Sequence, residues 1–233
     1  MLNRQVRLPI PPHIRTVPAM EHTGTHDHAT EMFEPDAWEE RYSGQDQVWS
    51  GQPNPQLVAE VSGLAPGTAL DVGCGEGGDV VWLARLGWTV TGADFSAQGL
   101  ARAARHADEA GVGDRTDWWQ VDARQITPED RVWDLVTTHF LHPPGGQMVD
   151  VTRRLASLVA PGGHLLVVGH APSEAFAHHD GEQHRAMFVA ADLVPVLPDG
   201  FEVLVAEQRP RTVVRDGRTF EIDDSTLLAR RRP

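Results

Sequence analysis

Short apolar runs alternate with stretches of three-to-four-residue apolar period from residue 68 to about residue 168, and glycine, serine or proline stands at most changes of period. That alternation predicts strands separated by amphipathic helices. Strands are expected at 68–72, 89–94, 117–121, 133–138 and 164–168. Between the first two, 78–86 reads as a helix with Val80, Leu83 and Ala84 on one side. Ser96 is placed to cap the next helix, which carries Leu100, Ala103, Ala104 and Ala107 at helical spacing and ends at Gly111. A further helix is expected at 149–159, stopped and turned by Pro161, Gly162 and Gly163. Strands alternating with helices imply a doubly wound, mostly parallel sheet covered on both faces, with ligands at the carboxyl ends of its strands.

The pattern changes at both ends. Runs at 201–206 and 226–229 have no helical period between them, so they predict an antiparallel pair, with Asp216-Gly217 as a hairpin tip. That makes seven strands. Upstream, 34–42 reads as a short helix with Asp36 as its cap and Trp38 and Tyr42 at i, i+4 on one face. Pro53 and Pro55 bracket Asn54 ahead of a helix at 56–63. Residues 1–30 hold four prolines and no sustained apolar period, and are expected to be a flexible tail before one domain at 31–233.

Candidate chemistry concentrates at 70–78, LDVGCGEGG, where an apolar strand end runs into a glycine-rich turn. Gly73, Gly75 and Gly78 fit a dinucleotide fingerprint, and Asp94 lies 19 residues beyond Gly75, close to the acid-to-ribose spacing of that fold. A pyrophosphate on the backbone N–H groups of such a turn would be repelled by Asp71 and Glu76. S-adenosylmethionine carries a sulfonium and an ammonium and no phosphate, so the same acids attract it while the glycines let the backbone approach its methionine part.

Composition removes other classes. All 20 basic residues are arginine, which excludes a P-loop lysine and a Schiff-base lysine. The net charge of −13 and the lack of a basic stripe argue against a nucleic-acid partner. The single cysteine, Cys74, forms no intrachain disulfide, no apolar run approaches membrane-span length, and a cytoplasmic location is expected.

LDVGCGEG, the acids Asp94 and Asp122 closing the second and third strands, the APGG turn at 160–163 and the terminal antiparallel pair together resemble the class I S-adenosylmethionine-dependent methyltransferases. The resemblance runs from about Trp38 to Arg231. The segment WEERYSGQDQVWSGQPNPQLV is similar to the entry of small bacterial members related to the tellurite-resistance and thiopurine methyltransferases. It implies a Rossmann-like fold and S-adenosylmethionine as cofactor, with Asp71, Gly73 and Gly75 at the methionine end and Asp94 at the ribose hydroxyls. By the same resemblance Phe95 meets the adenine face, and Asp122 with Ala123 the adenine edge. Where nucleic-acid amino methyltransferases of this fold carry an acid or amide, two prolines and an aromatic, this chain reads His142-Pro143-Pro144-Gly145, which lowers a base-modifying role. A small-molecule acceptor is expected.

Methyl transfer is an in-line displacement that needs alignment and a dry site, and a base where the acceptor is a hydroxyl or amine. His139 is the candidate base; His142 and His170, which also follow strands, are candidate substrate contacts, and all three have pocket-shaping as the competing role. Trp38, Tyr42 and Trp49 are candidates for a lid over the acceptor or for a staple fixing the first helix. Cys74 reads as a packing residue. The groups His22, His26, His28 and His178, His179, His184 lack a ligand set at fixed spacing, so no metal site is expected. A nicotinamide-dependent oxidoreductase and a non-catalytic S-adenosylmethionine-binding protein stand as the alternatives.

Overall fold

The computed structural model describes residues 14–16, 34–44, 47–127, 131–141, 143, 146–172, 186–215 and 218–233. The chain divides into two compact units, Met1–Gln125 and Ile126–Pro233.

The first unit contains β1 (Ile14–Thr16), α1 (Pro35–Gly44), α2 (Pro55–Val61), β2 (Thr68–Val72), α3 (Gly78–Arg85), β3 (Thr89–Asp94), α4 (Ala97–Glu109) and β4 (Thr116–Gln120). Its strands lie in the order β1-β4-β3-β2, all parallel. Ile14–Thr16, inside the segment expected as a tail, pairs with Trp118–Gln120 and adds an eighth strand to the expected seven. α2 begins because Asn54 Oδ1 accepts from the N–H groups of Gln56 and Leu57 while Pro55, which has no N–H to satisfy, takes the first turn. Ser96 caps α4 as expected, its Oγ accepting from Gly99 N at 3.0 Å. Asp36, expected as a cap, lies inside the first turn of α1, where its charge suits the helix dipole instead. Leu70, Val72, Val90, Leu83, Leu100 and Trp118 make the buried core.

The second unit contains β5 (Trp133–His139), α5 (Met148–Ser157), β6 (Val159–His170), α6 (Ala190–Leu193), β7 (Phe201–Arg215) and β8 (Arg218–Arg231). β5 and β6 are parallel; β8 is antiparallel to both β6 and β7. The fold class is therefore the expected Rossmann-like α/β arrangement, mostly parallel with an antiparallel C-terminal pair. The turn at 160–163 differs in role from the expectation. α5 has already ended at Ser157, and Pro161-Gly162-Gly163 forms a bulge inside β6, where pairing jumps from Trp133 with Val159 to Leu135 with His164. The expected hairpin tip Asp216-Gly217 and the two histidine groups lie outside the described residues. β7 and β8 stay paired beyond the end of β6, through Arg211 with Ile222 to Arg215 with Arg218.

Gly92 shows how closely the sheet and its covering layer fit. It stands opposite Asp71 on β2 and Trp118 on β4, and a Cβ there would lie 2.6 Å from the Trp118 ring and 3.1 Å from Cys74 Sγ. Gly92→Ala is expected to overpack this point and destabilise the chain by roughly 1–3 kcal/mol, read as a lower midpoint in urea unfolding.

Candidate functional site

The glycine turn leaves β2 at Val72 and enters α3 at Gly78. Gly73 N and Cys74 N both donate to Ala93 O on β3, at 2.8 and 3.1 Å, and Gly77 N donates back to Cys74 O at 2.8 Å. Gly75 adopts φ +51, and a Cβ on it would lie 2.7 Å from the Tyr42 hydroxyl, so only glycine fits on both conformational and steric grounds.

The Asp94 carboxylate holds the turn from the end of β3. Oδ2 accepts from Gly75 N and Oδ1 from Ser96 N, each at 2.9 Å. Burial pushes its pKa up from 3.8 to about 6; the two backbone hydrogen bonds oppose that rise, and the charges of Asp71 and Glu39 add to it. It is therefore mostly ionised at neutral pH, with lone pairs left to accept further hydrogen bonds. Asp71, at the end of β2, is buried. Burial, with Asp94 and Asp71 adding to it, drives the Cys74 thiol well up, which keeps Cys74 neutral and non-nucleophilic.

Glu76 departs from the role expected of it. Its carboxylate is taken up by protein donors, accepting from Arg102 Nη1 at 2.7 Å, Val48 N at 3.1 and 3.2 Å and Trp49 N at 2.9 Å. The pair with Arg102 is buried on both sides. The repulsion of a pyrophosphate thus rests on Asp71 and Asp94.

Those bonds tie the segment from α1 to Trp49 to the turn. Trp38, Tyr42 and Trp49 come together, with Trp38 5.8 Å from each of the other two rings and Trp49 Nε1 donating to Tyr42 Oη at 3.0 Å. The Arg41 guanidinium sits over Trp38 at 4.9 Å and Trp49 at 5.4 Å. Burial drives the Tyr42 phenol far above its usual range, so it stays neutral with its proton available to donate. α1 is anchored twice more: Ser96 Oγ donates to Glu39 Oε2 at 2.5 Å, and Arg124 lies 3.6 Å from Glu34. Arg124 also binds Asp122 through Nε and Nη2, at 2.7 to 3.0 Å. Phe95 is half-buried with its carbonyl accepting from Gln120, and Ala123 is buried beside Asp122. Sequence reasoning missed Glu39, Arg102 and Arg124, whose long-range partners lie 26 to 90 residues away; only the acid-rich helix Pro35–Gly44 gave a local signal.

In the second unit, His139 ends β5 and His170 ends β6; both ring nitrogens of His139 are buried. His142 lies outside the described residues.

The donor set fits S-adenosylmethionine: buried carboxylates at the ends of two adjacent strands suit a cation and a diol, and Gly73 and Gly75 beside them take positive φ, so the turn carries no side chain there. Comparison with known proteins agrees. Residues 69–163 match a family model described as a methyltransferase domain. The chain is 28% identical over 172 residues to a ubiquinone biosynthesis O-methyltransferase of Ralstonia nicotianae, covering 73% of this chain and 68% of that one. It is 34% identical over 110 residues to a ribosomal RNA small subunit methyltransferase C of Alcanivorax borkumensis, covering 45% and 33%. The chain spans between a third and about two thirds of the length of the curated relatives it matches. Its fold is shared with the N-methyltransferase NodS of Bradyrhizobium japonicum in complex with S-adenosylhomocysteine (TM-score 0.63, 18% identity, 84% of this chain and 97% of that one). It is shared as well with TehB of Haemophilus influenzae (TM-score 0.63, 17% identity, 84% and 67%). These matches support a class I S-adenosylmethionine-dependent methyltransferase, with S-adenosylmethionine as the cofactor they indicate. Among the described residues no helix is long and apolar enough to cross a membrane.

Two outcomes follow from these contacts. Because the folded Asp94 binds its proton more tightly than the unfolded one, its contribution to stability is largest below about pH 4 and is lost as pH rises to about 6. Asp94→Asn removes that dependence, so the difference in melting temperature, variant minus parent, is expected to rise between pH 4 and 7; a constant difference would contradict it. Glu76→Ala removes the buried carboxylate partner of Arg102 together with the acceptor of the Val48 and Trp49 N–H groups, and is expected to cost about 3–5 kcal/mol in chemical denaturation.

Proposed function

We propose that this chain transfers the methyl group of S-adenosylmethionine to a small-molecule acceptor. The observation that carries the reading is the carboxylate of Asp94 holding the Gly75 turn beside buried Asp71, an acid-rich cradle open to a cation and closed to phosphate. When bound, the cofactor supplies an electrophilic methyl carbon on a sulfonium and leaves as S-adenosylhomocysteine. Asp71 and the glycine backbone bind its methionine end, Asp94 accepts from the ribose hydroxyls, and Phe95 and Ala123 bracket the adenine. Asp122 enters that role already held by Arg124, which fixes its orientation toward the adenine edge. Tyr42, Trp38 and Trp49 close over the turn and exclude water, on the side where an acceptor is to be held. His139, at the end of β5, is the candidate base where the acceptor has a proton to lose. The net charge of −13 favours a small acceptor over a polyphosphate backbone, and a cytoplasmic setting with residues 31–233 as one functional domain completes the reading.

Calorimetric titration is expected to show binding of S-adenosylmethionine and none of NADH; the reverse result would establish the oxidoreductase alternative. Asp94→Ala is expected to weaken cofactor affinity at least tenfold, the loss of about 1.4 kcal/mol of charged hydrogen bonding, with the fold retained by circular dichroism. Parent affinity is also expected to fall as pH drops below about 6, where Asp94 takes up its proton. Cofactor binding without S-adenosylhomocysteine release across thiols, phenols and amines would leave a binding protein without catalysis.

A further inference from the structure

Residues 48–54 lie along the glycine turn and are fastened to it at both ends. At one end the Glu76 carboxylate accepts from Val48 N at 3.1 and 3.2 Å and from Trp49 N at 2.9 Å; at the other, Asp79 Oδ1 accepts from Asn54 N at 2.6 Å. Between these anchors the segment crosses the glycines at contact distance. A Cβ on Gly78 would lie 3.3 Å from Gln52 O and 3.4 Å from Gly51 O, and one on Gly75 would lie 3.2 Å from Trp49 Nε1. Gly51, midway along, is exposed with φ +71, and a Cβ on it would meet only Gln47 Nε2, at 3.8 Å. Glu76 is itself fixed from α4: Arg102 Nη1 donates to its carboxylate at 2.7 Å, and His106, one helical turn on, donates from Nδ1 to its carbonyl at 2.9 Å. Val48 is half-buried and Trp49 is 46% exposed, so polar anchors rather than apolar packing keep this segment in place.

We propose that residues 48–54 form a strap latched over the cofactor turn by Glu76, and that the latch and the bound cofactor stabilise each other, which rests on the methyl-transfer reading above and adds Glu76 and Arg102 to it as positioning residues. The turn is held from two sides, with Asp94 taking Gly75 N and Glu76 taking Arg102 and the strap. A cofactor that packs on the glycine backbone narrows the motions of the turn, and Glu76 carries that restriction to Val48 and Trp49. In the other direction, an open strap frees the Glu76 side chain, and the cofactor has to order the turn from a looser state, which weakens binding. Arg102 keeps the Glu76 carboxylate charged, and that charge gives the N–H bonds of the strap their strength. Linkage fixes the size of both effects: the factor that the closed latch adds to cofactor affinity is the factor that the cofactor adds to closure of the latch.

Hydrogen–deuterium exchange on the full chain follows the latch directly, because the Val48 and Trp49 amides donate to Glu76. In the parent, saturating S-adenosylmethionine is expected to slow exchange at these two amides by roughly tenfold. Glu76→Gln keeps the size of the side chain but sets an amide N–H against Arg102, so exchange there should be fast with or without cofactor, and the affinity measured by calorimetry should fall by the same factor. Arg102→Lys leaves a cation beside the carboxylate and should keep both the protection and the affinity. A purely structural role would lower the melting temperature of Glu76→Gln and leave its cofactor affinity at the parent value. Should Glu76→Gln fail to fold, exchange in the parent still decides. Parent exchange unaltered by bound cofactor, or parent affinity in Glu76→Gln with its strap amides unprotected, would overturn the strap and leave methyl transfer standing; a folded parent that binds no S-adenosylmethionine would overturn both.

Discussion

Everything at the donor site hangs on one buried carboxylate accepting two backbone hydrogen bonds. Asp94 closes β3, and by taking Gly75 N and Ser96 N it joins the glycine turn after β2 to the start of α4. A buried acid costs free energy unless its oxygens are paired, so the turn cannot relax without leaving that acid exposed to its own desolvation penalty. The turn is therefore held in one shape by the fold itself, and a preset turn lowers the ordering cost of any binding there.

A second level of organisation comes from acids used as ties. Glu76, Glu39 and Glu34 fix the α1-to-Trp49 segment to the turn, to α4 and to Arg124 in that order. Each tie is long-range, and that of Glu34 uses arginine, in a chain without lysine. Guanidinium suits the task because its planar fork engages a carboxylate through two donors, as Arg124 does with Asp122 and Arg211 with Asp224. Acids thus serve both as ties to arginine or backbone N–H groups and as the charge at the turn, and Asp94 does both beside buried Asp71.

The alternation of strands and helices was legible because burial imposes a period on the chain itself: 68–72 and 89–94 emerge with the bounds read from apolar spacing, and Ser96 caps α4 through a bond only three residues long. Boundaries set by pairing were less so. β6 extends back through 160–163 because a bulge opposite β5 admits Pro161-Gly162-Gly163 into the strand, and β7 and β8 run past their apolar cores because each supplies the other's hydrogen bonds. Trp38, Tyr42 and Trp49 were visible as an aromatic set, yet their position over Gly75 follows from Glu76, whose partners are 27 and 28 residues away.

By itself, then, the amino-acid order determined the layered α/β class, the position of the glycine turn and the acids at the strand ends, since each follows from local spacing and residue chemistry. Which acids are consumed as ties, and the meeting of His170, Phe140, Arg211 and Asp224, only the tertiary structure decided. Those roles depend on distances between residues far apart in the chain, and burial and pairing acquire a value only once the sheet has brought them within reach.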